Sequence, residues 1–311
     1  MYTNTAFYTN VFENLARELG FTAIGFSKAE KMEKEALHLE KWLNQGYHGE
    51  MKYMENYFDL RIDPRKLVPG AKSVVSLIFN YYNPDIQEDP SAPKLSIYAY
   101  GRDYHKVIKK KLKKFVRLAQ EEIGDFGGRV FVDSAPVMER DWAVRSGLGW
   151  MGKNTLLIHP RRGSYFFLAE IICDLPFTYN HPIKDYCGTC RKCIDACPTN
   201  AFSQNGYQLE AEKCISYLTI ELKSKIPEVF TGQMKNYVFG CDICQQVCPW
   251  NRFSANHSEP DFLPTEKLLK MTKQEWLELT EKVFDQLFAG SAVKRAKFTG
   301  LKRNIDFLNN K

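Results

Sequence analysis

Two cysteine-rich stretches carry the strongest structural signal in this sequence: CGTCRKCIDACP at residues 187–198 and CDICQQVCP at residues 241–249. The first stretch has the spacing C-x2-C-x2-C-x3-C and ends on a proline. The second has the spacing C-x2-C-x3-C, also ends on a proline, and is preceded by the single Cys214. Eight of the nine cysteines of the chain are therefore concentrated here, and their spacing predicts a metal-binding module.

This spacing is typical of bacterial ferredoxins, in which two such runs hold two 4Fe–4S clusters. In that arrangement the cysteine before the proline binds the cluster of the other run. The ligands predicted for one cluster are therefore Cys187, Cys190, Cys193 and Cys248. Three ligands of the other cluster would be Cys197, Cys241 and Cys244.

The second cluster needs a fourth ligand, because Val238 occupies the position three residues before Cys241. Cys214 is the predicted substitute, since Cys173 precedes the whole module. The chain between Cys214 and Cys241 is then an insertion that folds back. Cys173 follows the apolar run FFLAEII and is interpreted as a buried, small apolar side chain.

Zinc and disulfides are the alternatives to iron–sulfur clusters. Zinc sites also use C-x2-C pairs, but usually two separated pairs without a third cysteine and a proline. Disulfides need an oxidising compartment, and the N-terminal sequence has neither a signal-peptide pattern nor a twin-arginine pair. The spacing favours iron–sulfur clusters, and reduced thiols predict a cytoplasmic protein without a membrane span.

The rest of the chain alternates between predicted strands and helices. Hydrophobic residues make up 44% and charged residues 26%, as in an ordinary globular protein. SVVSLIF at 73–79 and RVFV at 129–132 are predicted strands, and residues 104–123 have apolar side chains at helical spacing. The pattern predicts a layered α/β domain, a cluster module and a helical C-terminal segment, at residues 1–178, 179–258 and 259–311.

Polar residues and glycines concentrate in the segment 131–172. Asp133 follows a predicted strand, where open α/β sheets place ligands, although it could also cap a helix opening at Pro136. No P-loop and no G-x-G-x-x-G after a strand is present. Close backbone approach to a large flat partner is predicted at Gly147, Gly149 and Gly152. Polar contacts to it are predicted from Lys153, Asn154 and His159.

Three features together resemble the epoxyqueuosine reductase family. They are RIDPRKLVPGAKSVVSL from residue 61, VDSAPVMERDWAVRSGLGWMGKNTLLIHPRRGS from residue 132, and the two cysteine runs. The resemblance covers nearly the whole chain. It implies a cobalamin-dependent iron–sulfur enzyme that reduces epoxyqueuosine to queuosine at the wobble position of tRNA, the last step of queuosine biosynthesis. It also implies an α/β cobalamin-binding domain related to that of reductive dehalogenases, joined to a two-cluster ferredoxin domain.

The resemblance also implies roles for individual residues. Asp133 would donate the proton to the epoxide oxygen, and a raised pKa would help it stay protonated at neutral pH. An external low-potential donor would load the clusters, and the cluster of Cys214 would pass electrons to the corrin. Cobalamin contacts are implied for Tyr98, Asp133, Lys153, Asn154, Leu157, His159, Ser216 and Asp242.

The cobalt is expected to have no histidine ligand from the protein. The D-x-H-x-x-G motif of histidine-ligated cobalamin is nearly matched at residues 103–105, but Ile108 stands where the glycine belongs. We interpret this near-match as chance, and the resemblance implies cob(II)alamin with its lower base detached. Many family members continue past this chain's last segment, RNIDFLNN, into a HEAT-like helical domain, so a short form is expected.

Basic residues predict a surface for the tRNA backbone. The net charge is +6, and residues 102–117 carry eight Lys or Arg against one Asp. A solvated helix face is the alternative interpretation of this run. Phosphate contacts are predicted for Lys109, Lys110, Lys113, Arg161 and Arg162. The protein is expected to act as a monomer.

Two other functions fit part of the sequence. A corrinoid iron–sulfur reductive dehalogenase would use the same cofactors on a halogenated small molecule, although such enzymes usually carry an export signal. A non-catalytic ferredoxin-type electron carrier would need neither the corrin nor the segment 131–172.

Overall fold

The computed structural model describes residues 4–309. Within these residues the strands are β1 (Ala23–Lys28), β2 (Ser73–Asn80), β3 (Lys94–Leu95), β4 (Gly128–Phe131), β5 (Trp150–Met151), β6 (Leu157–Ile158), β7 (Phe166–Cys173) and β8 (Tyr237–Phe239). The first helices are α1 (Thr5–Glu18), α2 (Glu33–Asn44), α3 (Phe58–Ile62), α4 (Pro64–Leu67), α5 (Tyr104–Ile123), α6 (Glu139–Arg145) and α7 (Lys192–Asp195). They are followed by α8 (Ile215–Ile220), α9 (Ile243–Gln246), α10 (Glu266–Lys270), α11 (Lys273–Leu277), α12 (Glu281–Leu287) and α13 (Lys297–Asn309).

The α/β part is built on one four-stranded sheet with the order β1-β2-β7-β4, in which every neighbouring pair is antiparallel. Alternate side chains of β2 point to opposite faces. Val75 and Leu77 pack with α1 and α5, whereas Val74 and Ile78 pack with the layer that contains α6. The predicted layered α/β organisation is therefore confirmed, with helices on both faces of the sheet.

The loop that joins β4 to α6 is longer than the sequence indicated. β4 ends at Phe131, and α6 begins at Glu139 and not at Pro136. Asp133 has φ +44°, a left-handed conformation that aspartate tolerates better than most residues. This conformation turns the chain away from the helical path, so the first helical turn forms only at Glu139.

The cysteine runs form a compact module in which α7 and α9 pack against each other. The insertion between the runs forms α8, which begins directly after Cys214, and β8, which pairs in parallel with β3 of the preceding part. The C-terminal helix α13 packs on α8 and β8, and its Leu301 and Ile305 join a core with Trp276 and Phe284. The predicted helical C-terminal segment is thus present and is held against the cysteine module.

Candidate active site and iron–sulfur ligands

The first predicted set of cluster ligands lies around one cavity. Four of the cysteines line it, and the side chains beside them are Lys153, Asn154, Ile158 and Trp250. The four cysteines are Cys187, Cys190, Cys193 and Cys248. The indole N–H of Trp150 donates to Sγ of Cys187 at 3.5 Å. Four thiols around a shared space, one of them contributed by the second run, are the donor set that a 4Fe–4S cluster requires.

The second predicted set is also grouped. Burial is the main cause of the raised pKa of the Cys244 thiol, and the charges of Cys214, Cys241 and Cys197 raise that pKa further. Burial and the charges of Cys214 and Cys197 likewise raise the pKa of Cys241 to about 12. Thiols that depress one another's ionisation in this way favour a bound cation, and this fits a second iron–sulfur cluster.

The spacing of these thiols is wider than a single metal ion needs. Among residues 4–309, no three Cys, His, Asp or Glu side chains converge closely enough to hold one ion. A 4Fe–4S cube carries its four sulfur ligands at its corners, so a wider spacing is compatible with it. Cys173 is buried between sheet and helices and belongs to neither set.

Asp133 is the centre of a polar group with Tyr104 and His105. We call the surface concavity around these three side chains the cleft. Oδ2 of Asp133 accepts a hydrogen bond from the hydroxyl of Tyr104, and Nε2 of His105 lies 3.6 Å from the same oxygen. Nδ1 of His105 lies 2.7 Å from Oδ1 of Asp103. Tyr104 and His105 are the first two residues of α5, and the Tyr104 ring stacks on Phe167 of β7 at 4.1 Å. The packing of α5 on the sheet therefore brings both side chains to Asp133.

The electrostatics of this group differ from the expectation. Burial opposes the charge of His105, but hydrogen bonds to Asp103 and Asp133 and their charges outweigh it and raise its pKa to about 9. Burial alone would raise the pKa of Asp133, but the hydrogen bonds to His105 and Tyr104 and the charges of His105 and Arg295 lower it. The expected raised pKa of Asp133 is therefore wrong for the protein alone, and at neutral pH the proton resides on His105.

The Asp133 side chain faces the cleft and does not cap a helix. It is 62% exposed, although protein atoms crowd it on most sides, as at the floor of an open concavity. The residue before α6 is Met138, which makes no side-chain cap hydrogen bond. The interpretation of Asp133 as a helix cap is thus wrong, and its carboxylate is available to a ligand.

Tyr98, a predicted cobalamin contact, lies near both Asp133 and Asp242, and Asp242 is another predicted contact. Burial and then the charges of Asp133 and Asp242 raise the pKa of the Tyr98 phenol. Asp242 is buried and accepts hydrogen bonds from the Ser96 hydroxyl and from the Ile97 N–H, the latter at 2.9 Å. Asp242 therefore fixes the turn that carries Tyr98.

The other predicted cobalamin contacts lie nearer to the cysteine runs. Nζ of Lys153 donates to the carbonyl oxygens of Gly188 at 2.6 Å and Cys190 at 3.0 Å. Asn154 donates to the carbonyl oxygen of Cys244 at 3.4 Å. Both side chains thus tie the hairpin region around β5 and β6 to the cysteine loops.

Three more predicted contacts have distinct surroundings. Leu157 is buried in a cluster with Ile78 and Ala143. Burial, with the charges of Arg162 and Arg161, lowers the pKa of His159 to about 4, so this histidine is neutral at physiological pH. Ser216 is half-buried in α8, two residues after Cys214.

Close packing within the protein explains the glycines at positions 147, 149 and 152 without a bound partner. A Cβ at Gly149 would lie 2.3 Å from the carbonyl oxygen of Ile158, and one at Gly147 would lie 2.7 Å from that of His181. A Cβ at Gly152 would lie 2.5 Å from the Ile158 side chain. These glycines therefore allow the chain to pack closely on itself, and their close approach to a flat partner stays a prediction.

The predicted RNA-contacting residues are on the surface. The exposed face of α5 carries Lys109, Lys110 and Lys113, and Arg161 and Arg162 are exposed in the turn after β6. Among residues 4–309 these five side chains form no ion pair. Because α5 rises about 1.5 Å per residue, Lys113 lies about 12 Å along the helix from His105.

Several residues of the site were not predicted from the sequence. The partners Tyr104 and His105 are separated from Asp133 by a helix and a strand, and the near-match at residues 103–105 was their one local signal. Arg295 was missed because it comes from the C-terminal segment, where it forms a bidentate pair with Glu221 at 2.8 and 2.9 Å. Beside Arg295 is a half-open cavity of about 290 Å³ with three further basic side chains, Lys223, Lys297 and Arg303.

No helix within the described residues has the length and apolar character that crossing a bilayer would require.

The fold and the site define a class of protein with an α/β domain, a carboxylate–imidazole group at a cleft, and eight grouped cysteines. Two family models match this chain: "Epoxyqueuosine reductase QueG, DUF1730" over residues 61–134, and "4Fe-4S double cluster binding domain" over residues 186–251. The cysteine module is therefore a double-cluster iron–sulfur domain, as predicted.

The chain is similar to proteins named epoxyqueuosine reductase. It is 57% identical over 305 residues to one from Cyclobacterium marinum, with 97% of each chain covered. A structure of an epoxyqueuosine reductase with an epoxyqueuosine-modified tRNA-Tyr stem loop matches with a TM-score of 0.90 and 30% identity, covering 98% of this chain and 81% of that one. The Bacillus subtilis structure, whose catalytic aspartate loop is swung out of the active site, matches with a TM-score of 0.87 and 30% identity, covering 98% and 82%. This chain belongs to the epoxyqueuosine reductase family.

Proposed function

We propose that this protein reduces epoxyqueuosine to queuosine at the wobble position of tRNA. Membership of the family supports the proposal, and the observation that carries it is Asp133, exposed in a cleft and linked to Tyr104 and His105. The reaction takes up two electrons and two protons. Both C–O bonds of the epoxide break, a carbon–carbon double bond forms, and the oxygen leaves as water.

The electrons are proposed to pass through the two cysteine sets. Two 4Fe–4S clusters would be held with the crossed ligation described above, and an external low-potential donor would load them. Cys214 and its three partners would hold the cluster nearer to the cleft. Bound cobalamin, entering as cob(II)alamin with its lower base detached, would supply the strongly reducing chemistry that opens the epoxide. His105 is hydrogen-bonded to Asp103 and lies within ion-pair distance of Asp133, so it is not proposed as a cobalt ligand.

The residues that would hold the corrin are those grouped around the cleft. Tyr98 is near enough to Asp133 for the charge of that carboxylate to raise its pKa, and Asp242 fixes the turn that carries Tyr98. An aromatic wall with a polar edge suits a large macrocycle with amide side chains. The remaining proposed contacts are Lys153, Asn154, Leu157, His159 and Ser216.

Asp133 is the proposed proton donor to the epoxide oxygen. Because its pKa is lowered and that of His105 is raised, Asp133 would pass on a proton that His105 stores. The hydroxyl of Tyr104 keeps the carboxylate oriented meanwhile. Support for an aspartate in this role also comes from the Bacillus subtilis relative, in which a catalytic aspartate loop can leave the active site.

The substrate partner is a tRNA that carries epoxyqueuosine. We propose that the exposed lysines of α5, with Arg161 and Arg162, bind its backbone, and that the modified base turns out of the loop to reach Asp133. The protein would work as a monomer in the cytoplasm, with the three parts 1–178, 179–258 and 259–311 serving catalysis, electron delivery and support of the module.

The test uses an anticodon stem-loop RNA with epoxyqueuosine at the wobble position. The protein is reconstituted anaerobically with iron, sulfide and cobalamin, a chemical reductant is added, and the nucleosides are analysed by mass spectrometry. The expected product is lighter by one oxygen atom. Unchanged epoxyqueuosine from protein that absorbs as both an iron–sulfur and a corrin protein would overturn the proposal. A halogenated phenol in a parallel reaction tests the dehalogenase alternative.

A further inference from the structure

Two glutamates, the half-buried Glu139 and the buried Glu170, lie behind Asp133 on the face of the sheet that α6 covers. Oε1 of Glu139, the first residue of α6, accepts a hydrogen bond from the backbone N–H of Asp133 at 2.6 Å. The side chain of Glu139 also faces that of Glu170, which lies in the middle of β7 and is fully buried. The backbone of Asp133 is thus connected to the core of the sheet through two carboxyl groups.

At least one of these two carboxyl groups carries a proton. Within residues 4–309, no N–H group and no hydroxyl donates to either oxygen of Glu170, which leaves Glu139 as its partner. Ionised carboxylates are acceptors, so two of them hydrogen-bond only when one is protonated. Burial is the main cause that raises the pKa of both groups; the charge of Asp133 raises that of Glu139 further, and the charge of Glu139 raises that of Glu170 further.

The position of the proton follows from the other hydrogen bond. The N–H of Asp133 points at Glu139 and favours the ionised form of that carboxyl. Glu170 has no comparable donor, so it is the better place for the proton. Glu139 then accepts hydrogen bonds from the Asp133 N–H and from the Glu170 carboxyl. Its negative charge strengthens the 2.6 Å bond from the Asp133 N–H.

We propose that Glu170 acts as a neutral, proton-donating positioning residue that holds the Glu139 carboxylate in place, so that Glu139 fixes Asp133 in its left-handed conformation at the cleft. Asp133 is the proposed proton donor, so an error in its backbone position would misplace the donated proton. The inference rests on the proposed function for its turnover readout alone, because the positioning itself is a property of the free protein.

The environment of the pair predicts a response to pH. The charged groups that face it are Asp133, at the end of β4, and His105, on α5. The residues that pair with Glu170 in the neighbouring strands are uncharged: they are Ser76 of β2 and Phe131 of β4. Loss of the shared proton would therefore place two buried negative charges beside Asp133, with His105 as their one cation among these neighbours. The loop after β4 should then loosen as the pH rises above the raised pKa of the pair.

The decisive experiment measures hydrogen–deuterium exchange of peptides covering residues 131–139 in the cofactor-free protein, corrected for the intrinsic chemical rate. Glu170→Gln keeps an N–H donor toward Glu139 and has no proton to lose, whereas Glu170→Leu removes the donor at similar size. The parent should exchange faster at pH 9 than at pH 7, Glu170→Gln should stay protected at both, and Glu170→Leu should exchange quickly at both. Equal protection of all three proteins, or loss of protection in Glu170→Gln, would overturn the proposal.

A second measurement covers the case in which Glu170→Leu does not fold. An acid with a raised pKa makes the folded state bind more protons than the unfolded state, so the free energy of unfolding falls as the pH rises above 4.5, the ordinary pKa of a glutamate. The slope for Glu170→Gln should be smaller than that of the parent by about one proton. Glu122→Gln, at an exposed position on α5, should keep the parent slope. An unchanged slope in Glu170→Gln would mean that Glu170 holds no proton in the folded state, and the proposal would be wrong.

Turnover separates this inference from the proposed function. At pH 7, Glu170→Leu should lower kcat on the stem-loop RNA with KM unchanged, and Glu170→Gln should restore the parent kcat. A parent protein that does not convert the RNA would refute the proposed function, while the exchange and unfolding results would still decide the role of Glu170.

Discussion

His105 Nε2 lies 3.6 Å from Oδ2 of Asp133, and on its other side Nδ1 lies 2.7 Å from Oδ1 of Asp103. An imidazole between two carboxylates is stabilised in its charged form, and burial is too weak an opposing effect to prevent this. The group at the cleft therefore stores a proton at neutral pH in His105, next to the carboxylate proposed to deliver it.

The first prediction concerns the charge of His105. Its imidazole should titrate near pH 9 in the parent protein, followed by NMR of labelled histidine. Asp103→Asn removes one of the two carboxylates and should lower this pKa by about 1 unit or more, because one opposite charge is lost. A titration near 6.5 in the parent would contradict the arrangement described here.

A second prediction tests Asp133 as the proton donor. Asp133→Asn preserves the size and the left-handed backbone preference but has no proton to transfer. Single-turnover rates on saturating stem-loop RNA should fall about 10²–10⁴-fold, the usual contribution of general acid catalysis. Cofactor content and RNA affinity should be unchanged.

The matched control for this variant is Asp125→Asn, at an exposed position after α5. It should react like the parent. Rates of Asp133→Asn close to those of the parent would leave Asp133 as a contact for the ligand and would move the search for the donor to Tyr104.

The third prediction concerns the fourth ligand of the second cluster. Cys214→Ala should halve the iron content and remove one of two EPR signals of the reduced protein, because the other cluster has its own four cysteines. Cys173→Ala is the control, since that thiol is buried among apolar side chains and should leave both clusters in place. Full iron content in Cys214→Ala would show that another residue completes the second cluster.

The fourth prediction concerns RNA binding by α5. Replacing Lys109, Lys110 and Lys113 together by Ala should weaken binding of the stem-loop and make it less sensitive to salt. If each lysine contacts one phosphate of a single-stranded region, the slope of log K against log salt should flatten by about 2. Chemistry on saturating RNA should be nearly unchanged, because these side chains give position and not reactivity.

The control for the lysine variant replaces three other exposed lysines, Lys28, Lys34 and Lys41, by Ala. The net charge changes equally, so a loss of affinity specific to the α5 variant identifies a local surface. Equal affinities and slopes for the two variants would show that the α5 face is merely solvated. The basic cavity beside Arg295 would then be the next surface to test.

Features that depend on short residue spacing were predictable from the amino-acid sequence. The cysteine runs predicted a double-cluster module, and the family model over residues 186–251 agrees with it. The apolar spacing of residues 104–123 predicted α5, with its lysines on the outside. Such patterns succeed because helical periodicity and ligand spacing are properties of neighbouring residues.

Only the tertiary structure decided how distant residues combine at the cleft. Tyr104 meets Asp133 because α5 packs on the sheet beside β4, and Glu170 meets Glu139 because β7 lies under α6. The direction of the Asp133 pKa shift also depends on these partners, and the sequence-based expectation was wrong for that reason. Strand order and helix packing bring these side chains together across tens of residues, and no local pattern in the chain encodes their distances or their charges.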